Sequence, residues 1–309
     1  MLIVLVEQLW TWPDKYHPLS LARLLAIRMA EKVHPAVRQN QEQSSVFQQK
    51  ISGSLAFLVL LAPLITILLI FIGLAEFPLF FDGLLLLVSI QFQVLIKQGQ
   101  KISNALANDK KVLARHLLSR IVLRETDKLS AVGIAKATIE SLLLRFNQQF
   151  SGVIFWYFVF GGVGALGYRL LYEFSHCWNT KLARFTYFGW PLAQLVKVLQ
   201  WLPVRLACGA LVVAQNVSTA TKAYRTFVKE KGKHKTTHML LLNLQGGALG
   251  IELSGPAYYN GQKKRTVKCG GERQVRHMDI ERTICAVQKA KVVIIVVSFL
   301  LGAILYAWK

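Results

Sequence analysis

Charged residues are scarce in this chain of 309 residues. They form 17% of it, whereas apolar residues form 53%, and the mean hydropathy is +0.39. Soluble globular domains carry about 25% charged residues, so this composition excludes an ordinary soluble fold. Acidic residues are the scarcest, because 16 Asp and Glu stand against 37 Lys and Arg, for a formal net charge of +21. In a membrane protein, the anionic neighbour expected for such a surplus is the cytoplasmic lipid surface rather than nucleic acid.

Three common sequence features are missing, and each absence argues against one interpretation. The four cysteines lie far apart with no C-x-x-C pair, which argues against a zinc site and a disulfide framework. The loop G-x-x-x-x-G-K-[ST] does not occur, so any ATP would be bound without it. The opening residues, MLIVLVEQLW, have no basic stretch and no small-residue cleavage site, and we expect them to be retained rather than removed as a signal peptide.

Five apolar segments are long enough to cross a bilayer. Ser54 to Leu74 is the strongest, because its 21 uncharged residues span the roughly 30 Å hydrocarbon core at about 1.5 Å per residue. The fourth segment is the weakest, since Pro203 and Arg205 interrupt it. The pattern predicts an all-α, polytopic integral membrane protein of about five transmembrane helices, organised as one domain over residues 1–309. The predicted spans are residues 54–74, 77–96, 146–168, 198–217 and 292–308.

The distribution of Lys and Arg outside the spans predicts the orientation. Six precede Ser54, ten lie in residues 97–145, four in residues 169–197 and fifteen in residues 218–291. Because cytoplasmic loops are enriched in Lys and Arg, we expect a multi-pass protein of the inner (cytoplasmic) membrane with a cytoplasmic N-terminus. The two richest loops, 97–145 and 218–291, are then cytoplasmic, and the loop 169–197 lies on the outer side.

The predicted cytoplasmic loops have local structure of their own. Apolar residues recur at helical spacing from Val112 to Val122, which predicts amphipathic helix in the loop 97–145. Farther along, Leu249–Leu253 followed by Ser254-Gly255-Pro256 is typical of a short extended segment that ends in a turn. Long loops of this kind commonly carry function.

Three glycines in the third span, Gly162, Gly164 and Gly167, spell G-x-G-x-x-G. In a soluble protein this motif indicates a dinucleotide site, but that site requires a preceding strand, and these glycines lie in an apolar segment. We therefore interpret them as small residues that let membrane helices approach closely.

A group of charges in the loop 97–145 is the first candidate site. Cations with acidic residues between them could hold a phosphate or a carboxylate through charge-assisted hydrogen bonds. On spacing alone, a charged cytoplasmic face that only sets the orientation is at least as good an interpretation. The residues are Arg115, Arg120, Arg124, Lys136, Glu125, Asp127 and Glu140.

One long run in the same loop is recognisable. The run ARHLLSRIVLRETDKLSAVGIAKATIES, Ala114–Ser141, closely resembles the signature of the CobD/CbiB family, the membrane-bound adenosylcobinamide-phosphate synthases of cobalamin biosynthesis. Four further landmarks occur in the family order, so the resemblance covers nearly the whole chain. They are His17-Pro18, Phe188-Gly189-Trp190, Pro203-Val204-Arg205-Leu206 and LGIELSGPAYYNG at Leu249–Gly261.

The resemblance implies an enzyme that joins aminopropanol or its phosphate to adenosylcobyric acid as an amide, with ATP and magnesium. It implies a corrinoid substrate or other corrinoid-pathway proteins as partners beside the lipid bilayer, and no nucleic acid. The candidates for binding the anionic substrate are Arg120, Arg124, Lys136 and Glu140 in the loop and Arg205 in the fourth span. A structural role at helix ends is the alternative for these residues.

The chain departs from the family pattern where the family has acidic or polar residues. Since Leu or Val in place of a metal-binding carboxylate removes the ligand, we expect catalysis to be absent or very weak. No cofactor is certain, and ATP and magnesium are expected only if the family activity is retained. The substituted positions are Leu144, Arg145, Gln148 and Gln149, then Ser175, Gln194 to Lys197, and Lys235 to Leu242.

Three functional classes stay open. An active ligase would need replacement acids, for which Asp109, Glu125, Asp127 and Glu140 form the predicted cytoplasmic cluster. A non-catalytic inner-membrane regulatory or assembly protein would need none; VLVEQL and VLQWLPVRLA resemble AmpE, a smaller relative linked to β-lactamase regulation. A membrane protein that tethers nucleic acid comes third, because the basic segment Lys222–Lys235 has few aromatic residues.

Overall fold

The computed structural model describes Glu7, Trp12 and residues 16–34, 45–232, 236–259 and 261–307, without the side chains of residues 305 and 306. Helices dominate this part of the chain, as the sequence predicts. They are α1 (Pro18–Val33), α2 (Val46–Leu74), α3 (Pro78–Ser89), α4 (Gln93–Ala107), α5 (Lys111–Ser119), α6 (Ala131–Phe146), α7 (Gly152–Cys177), α8 (Trp190–Val213), α9 (Val217–Lys231), α10 (Thr237–Leu249) and α11 (Met278–Ala307). A π-helical segment, Asn147–Ser151, joins α6 to α7, and a 3-10 helix covers Ala183–Phe185.

Short strands lie between α10 and α11. β1 (Glu252–Leu253) pairs antiparallel with β4 (Cys269–Gly270), and β2 (Ala257–Tyr259) pairs antiparallel with β3 (Gln262–Lys264). The helix before them ends because Gly250 adopts a left-handed conformation, with φ 68°, which glycine accepts at little steric cost. The extended segment predicted here is confirmed, although it starts later than expected.

Five helices are long and apolar enough to cross a membrane among the described residues, and this confirms the predicted number. Most of the apolar surface of α2 is not covered by the protein, as expected of a helix that faces lipid. The five candidate spans are Val46–Leu74, Pro78–Ala107, Ala131–Cys177, Trp190–Val213 and Met278–Ile304.

The helix ends differ from the ends of the apolar segments. α2 begins before the apolar run because Ser45 caps it, accepting the backbone N–H of Gln48. The second predicted span, residues 77–96, contains α3 and the start of α4, since the backbone leaves the helical conformation at Ile90. The residue that ends the last predicted span, Trp308, lies outside the described residues.

The chain divides into two compact units. One contains Phe92–Ser151 and Leu202–Lys309, and we call it the loop unit because it holds both predicted cytoplasmic loops. The other contains Leu2–Gln91 and Gly152–Trp201, and we call it the span unit. The core of the span unit includes two large buried rings, those of Trp178 and Phe188, whose centroids lie 5.1 Å apart.

The chain reverses direction inside α7. Phe160 and Gly161 have non-helical backbone angles, and Gly161, with φ 66°, lies in the left-handed region that favours glycine. The segments on either side contact each other: the rings of Trp156 and Tyr168 lie 6.5 Å apart, and a Cβ on Gly152 would collide with the Tyr168 ring. In a continuous helix Gly152 and Tyr168 would lie about 24 Å apart. The third predicted span therefore contains a hairpin turn.

Contacts within the span unit place the loop before α8 beside the start of α2. The Lys50 ammonium lies 4.4 Å from the centroid of the Trp190 ring, and His34 Nε2 lies 2.8 Å from the carbonyl oxygen of Arg184. Segments in contact cannot lie on opposite sides of a bilayer. These contacts favour a topology in which the loop 169–197 lies on the same side as the start of α2, whereas the charge count predicts the opposite side, and the orientation of the loop stays a prediction.

The glycines of the G-x-G-x-x-G run lie at close contacts in the span unit. A Cβ on Gly162 would clash with Asp82, and a Cβ on Gly167 would lie 3.2 Å from Cδ1 of Ile65. The third, Gly164, packs inside the hairpin of α7. Their interpretation as helix-packing positions is confirmed.

Candidate functional site

The first turns of α6 present two charged side chains to the segment that contains β1. Ser130 caps this helix by accepting the backbone N–H of Gly133 at 3.2 Å. Lys136 and Glu140 are four residues apart, so they lie on the same face of the helix. Both side chains are half-buried, which favours strong interactions with their partners.

The carboxylate of Glu140 uses both of its oxygens. Oε2 accepts a hydrogen bond from Nη2 of Arg124 at 2.7 Å, and the two side chains are only 12% and 14% exposed. Oε1 accepts the backbone N–H of Ser254 at 2.7 Å. Glu140 therefore joins the loop after α5 to the loop after β1.

The carboxylate of Glu252 lies between two lysines. Nζ of Lys136 lies 3.1 Å from Oε1, and Nζ of Lys268 lies 3.1 Å from Oε2. Burial by itself would raise the pKa of the Glu252 carboxyl, but the hydrogen bonds from Lys268 and Lys136 outweigh it and hold this pKa below its usual range. The carboxylate is therefore ionised at neutral pH.

Residues 254–259 and 261–266, which we call the site loop, contact the segment before α6. The backbone N–H of Glu125 donates to the carbonyl oxygen of Tyr258 at 3.0 Å, and the Glu125 carboxylate accepts the N–H of Gly261. Ser254, where the site loop starts, has φ 62°, a conformation that residues with a side chain seldom adopt. The site loop is thus hydrogen-bonded to Glu125 in the segment before α6, and its backbone turns sharply at Ser254.

Five side chains form what we call the ionic site: Arg124, Lys136, Glu140, Glu252 and Lys268. Three cations and two carboxylates give the ionic site a formal charge of +1. Lys268, with 59% of its side chain exposed, is the most accessible member. The arrangement can bind a carboxylate or a phosphate group through charge-assisted hydrogen bonds.

The structure brings together three of the five predicted binding residues, namely Arg124, Lys136 and Glu140. Arg120 is the C-cap of α5 and is exposed, and Arg205 is exposed on α8. Neither belongs to the ion pairs of the ionic site, so the first three residues carry the candidate site.

Sequence reasoning missed two members of the ionic site. Glu252 lies within the motif LGIELSGPAYYNG, so the motif was a signal that could have found it. Lys268 carries no such signal, because the pairing of Leu253 with Cys269 between β1 and β4 is what brings it close. A register between two-residue strands cannot be read from sequence periodicity.

Comparison with known proteins settles the family. The family model described as CobD/Cbib protein matches residues 1–287. The chain belongs to the CobD/CbiB family.

Two similar proteins are both named cobalamin biosynthesis protein CobD. The one from Chromobacterium violaceum is 28% identical over 286 residues, which cover 93% of this chain and 90% of that protein. The one from Stutzerimonas stutzeri is 28% identical over 278 residues, which cover 89% of this chain and 88% of that protein. No solved structure matches.

The resemblance drawn from the motifs is therefore confirmed: this is a membrane protein of the CobD/CbiB family of cobalamin biosynthesis. The signature run and the motif LGIELSGPAYYNG supply the ionic site together, since α6 holds Lys136 and Glu140 and the second motif holds Glu252. The site thus consists largely of the residues that carry the family resemblance.

The donor set of the ionic site does not fit the magnesium that CobD/CbiB chemistry implies. Magnesium is bound through carboxylate oxygens and water. Each oxygen of Glu140 and Glu252 already faces a cation or a backbone N–H. Within the described ranges, no group of three or more His, Cys, Asp or Glu side chains could hold a metal ion.

Of the four acids that could have replaced the missing metal ligands, three lie outside the ionic site. Asp109 has φ 54° in the turn between α4 and α5, Glu125 fastens the site loop, and Asp127 is exposed. Of these acids, Glu140 is the one that belongs to the ionic site.

The positions at which the resemblance leads us to expect acids carry other side chains here. Nζ of Lys197 lies 3.3 Å from Oε1 of Gln194, and Val196 is buried. In the loop unit, Nε2 of Gln148 lies 3.4 Å from Nε2 of His238. A lysine or a valine offers no oxygen ligand to a metal.

Proposed function

We propose that this member of the CobD/CbiB family binds a corrinoid ligand of cobalamin biosynthesis at the ionic site and has lost the amide-forming step. Membership of the family supports the corrinoid pathway. The substitutions at Leu144, Val196 and Lys197 support the loss of the step because these side chains offer no oxygen ligand, and Gln148 and Ser175 offer only an uncharged oxygen.

One observation carries the binding part of the proposal: both carboxylates of the ionic site are already engaged in ion pairs and hydrogen bonds. Glu140 holds Arg124 and the site loop, and Glu252 holds two lysines. Binding a metal would require these pairs to break, which would leave partly buried cations without partners. The carboxylates therefore support a binding surface rather than a magnesium centre.

The cations of the ionic site are the groups that would hold the ligand. Lys268 is the most exposed and makes the first contact, while Lys136 and Arg124 lie deeper. A carboxylate or phosphate of the ligand adds hydrogen bonds to these cations and offsets the formal charge of +1. The site loop, with its exposed Tyr258 ring, borders the same surface.

A non-catalytic regulatory or assembly role in the inner membrane is the second candidate function. It is favoured by the same substitutions, and above all by Lys197, whose charge would repel a metal. Such a role, like that of AmpE, needs neither magnesium nor a corrinoid. Ligand binding separates the two candidates.

The experiment uses the purified full chain in detergent. We expect saturable binding of adenosylcobyric acid, and no amide product by mass spectrometry after addition of aminopropanol phosphate, ATP and magnesium. Lys136→Met should weaken binding by about tenfold, the effect of a lost charge-assisted hydrogen bond. Lys128→Met, an exposed lysine of the same loop, is the matched control and should bind as the parent does. An amide product would refute the loss of the step, and absence of binding would favour the regulatory role.

A further inference from the structure

A second group of charged and polar side chains lies largely buried in the span unit. It consists of Arg23 in α1, Gln91 after α3, and Arg169 and Glu173 in α7, and we call it the arginine cluster. Nε of Arg23 lies 2.8 Å from Oε2 of Glu173, and Nη2 of Arg169 lies 2.7 Å from Oε1. Oε1 of Gln91 accepts hydrogen bonds from Arg23 at 3.0 Å and from Arg169 at 3.4 Å. Two helices, α1 and α7, and the segment after α3 thus converge on one polar centre.

The burial of this cluster is nearly complete. The side chain of Arg169 is 0% exposed and that of Glu173 is 5% exposed, whereas Arg23 keeps 32% exposure. The guanidinium of Arg169 also lies 5.3 Å from the centroid of the Tyr172 ring. Arg169 and Glu173 lie within a candidate membrane span, where ionisable residues are costly and usually functional.

The charges of the arginine cluster do not balance. Two guanidinium groups and one carboxylate give a formal charge of +1, and an uncompensated charge is strongly unfavourable in a buried setting. Within the described part of the chain, Nε and Nη1 of Arg169 have no hydrogen-bond partner. Buried polar groups are nearly always hydrogen-bonded, so these donors and the surplus charge both point to an anion.

We propose that the arginine cluster binds a singly charged oxyanion, a carboxylate or a phosphodiester, through Nη1 of Arg169, one of its two unpartnered donors. One negative charge brings the cluster to neutrality, whereas a doubly charged phosphate monoester would leave a net charge of −1. The partly exposed Arg23 provides the approach to the buried donors. This site is independent of the corrinoid-binding function proposed for the ionic site.

Two substitutions change the charge of the cluster in opposite directions. Arg23→Gln lowers it to zero, and Glu173→Gln raises it to +2. We expect the apparent affinity for the anion to fall about tenfold in the first variant and to rise about tenfold in the second. Arg28→Gln, which removes an exposed arginine from the same helix, is the control and should leave the affinity unchanged.

The measurement is thermal unfolding of the delipidated full chain in detergent. Sodium acetate or dimethyl phosphate replaces sodium chloride at constant ionic strength, and dioleoylphosphatidylglycerol is titrated separately. A ligand of the native state stabilises it by RT ln(1 + [L]/Kd), so at equal ligand concentration tighter binding gives a larger rise in Tm. A shift with acetate or dimethyl phosphate that follows the predicted order of variants identifies a free anion. A shift with the lipid alone, in the same order, identifies a lipid headgroup.

Two results would overturn the proposal. The first is no shift with any of the three probes. The second is an equal response of Arg23→Gln and Arg28→Gln, because a purely structural ion pair does not make anion affinity depend on the charge of the cluster. Since Arg23 is partly exposed, its replacement tests the proposal even if Glu173→Gln fails to fold.

Discussion

At the scale of single residues, Glu140 joins two loops through one carboxylate. Glu140→Gln removes the charge that pairs with Arg124 and weakens the acceptor for the N–H of Ser254. We expect the free energy of unfolding to fall by about 1–3 kcal/mol, the range for a charged hydrogen bond in a partly buried site. Asp127→Asn, an exposed acid nearby in the chain, should change it by less than about 0.5 kcal/mol. Unfolding in detergent measures both, and equal stabilities would contradict the structural role of Glu140.

Glu252 makes the stability of the loop unit depend on pH. Burial opposes its ionisation, but the hydrogen bonds from Lys268 and Lys136 hold the pKa of the carboxyl below its usual value of about 4.3. Because the folded pKa is lowered, the stability that the carboxylate contributes is present above that value and is lost as the pH falls through the folded pKa. We expect the Tm of the parent to decrease more steeply than that of Glu252→Gln on acidification below about pH 4.3. Parallel curves for the two proteins would rule out this contribution.

Three of the five binding residues could be placed from the sequence because they belong to one recognisable run. Arg124 and Glu140 are 16 positions apart, however, and spacing does not show that they meet. They meet because the helix stops at Ser119 and restarts after Ser130, which folds the intervening loop back onto α6. The amphipathic pattern does not mark the break between α5 and α6. It therefore grouped Arg120 with Arg124, Lys136 and Glu140.

At the scale of elements, the hairpin in α7 depends on one glycine. Gly161→Ala would place a Cβ 2.8 Å from Oδ1 of Asp82 at a backbone position with φ 66°. We expect the free energy of unfolding to fall by about 2 kcal/mol, because an L-residue is strained there and Asp82 must move. Gly209→Ala, where a Cβ meets nothing within 4 Å, is the control and should be neutral or stabilising. If the two variants unfold at the same temperature, the turn does not need glycine.

Hydropathy predicted the number of long apolar helices but not the path of the third. A run of apolar residues looks the same whether it is straight or folded back, and the turn at Phe160–Gly161 carries no proline and no charge to mark it. The same reasoning explains the second span, where the break at Ile90 lies within an apolar run. The length and composition of an apolar run therefore predict that a helix forms. Contacts in the structure are needed to show where that helix breaks or turns back.

At the scale of the whole molecule, the hairpin changes the expected topology. From the contact between Lys50 and Trp190 we infer that the start of α2 and the loop before α8 lie on one side of the membrane. In a cysteine-free background, Ser45→Cys and Lys181→Cys should therefore react with a membrane-impermeant maleimide from the same side. Glu76→Cys, at the other end of α2, should react from the opposite side.

The control for this experiment is permeabilisation of the membrane, after which all three cysteines should react. Labelling of Lys181→Cys from the same side as Glu76→Cys would contradict the placement of the loop. Such a result would restore the topology that the count of Lys and Arg predicts.

The family could be recognised from the sequence because its motifs lie in order along nearly the whole chain, and the match over residues 1–287 confirms it. The activity could not be read in the same way. Motifs such as the signature run supply residues of the ionic site, whereas the proposed loss of catalysis concerns Val196, Lys197 and Leu144, which stand where the resemblance leads us to expect acids. The proposed loss of the amide-forming step therefore rests on substitutions and on the engagement of Glu140 and Glu252.

Complementation tests the central claim most directly. The chain would be expressed at ordinary level in cells that lack their own adenosylcobinamide-phosphate synthase, with adenosylcobyric acid as the corrinoid source and an active family member as positive control. The account predicts no cobalamin-dependent growth, because Leu144, Val196 and Lys197 offer no oxygen ligand to magnesium. Restored growth that is lost again in Glu140→Gln would contradict the account and would show that the ionic site is catalytic.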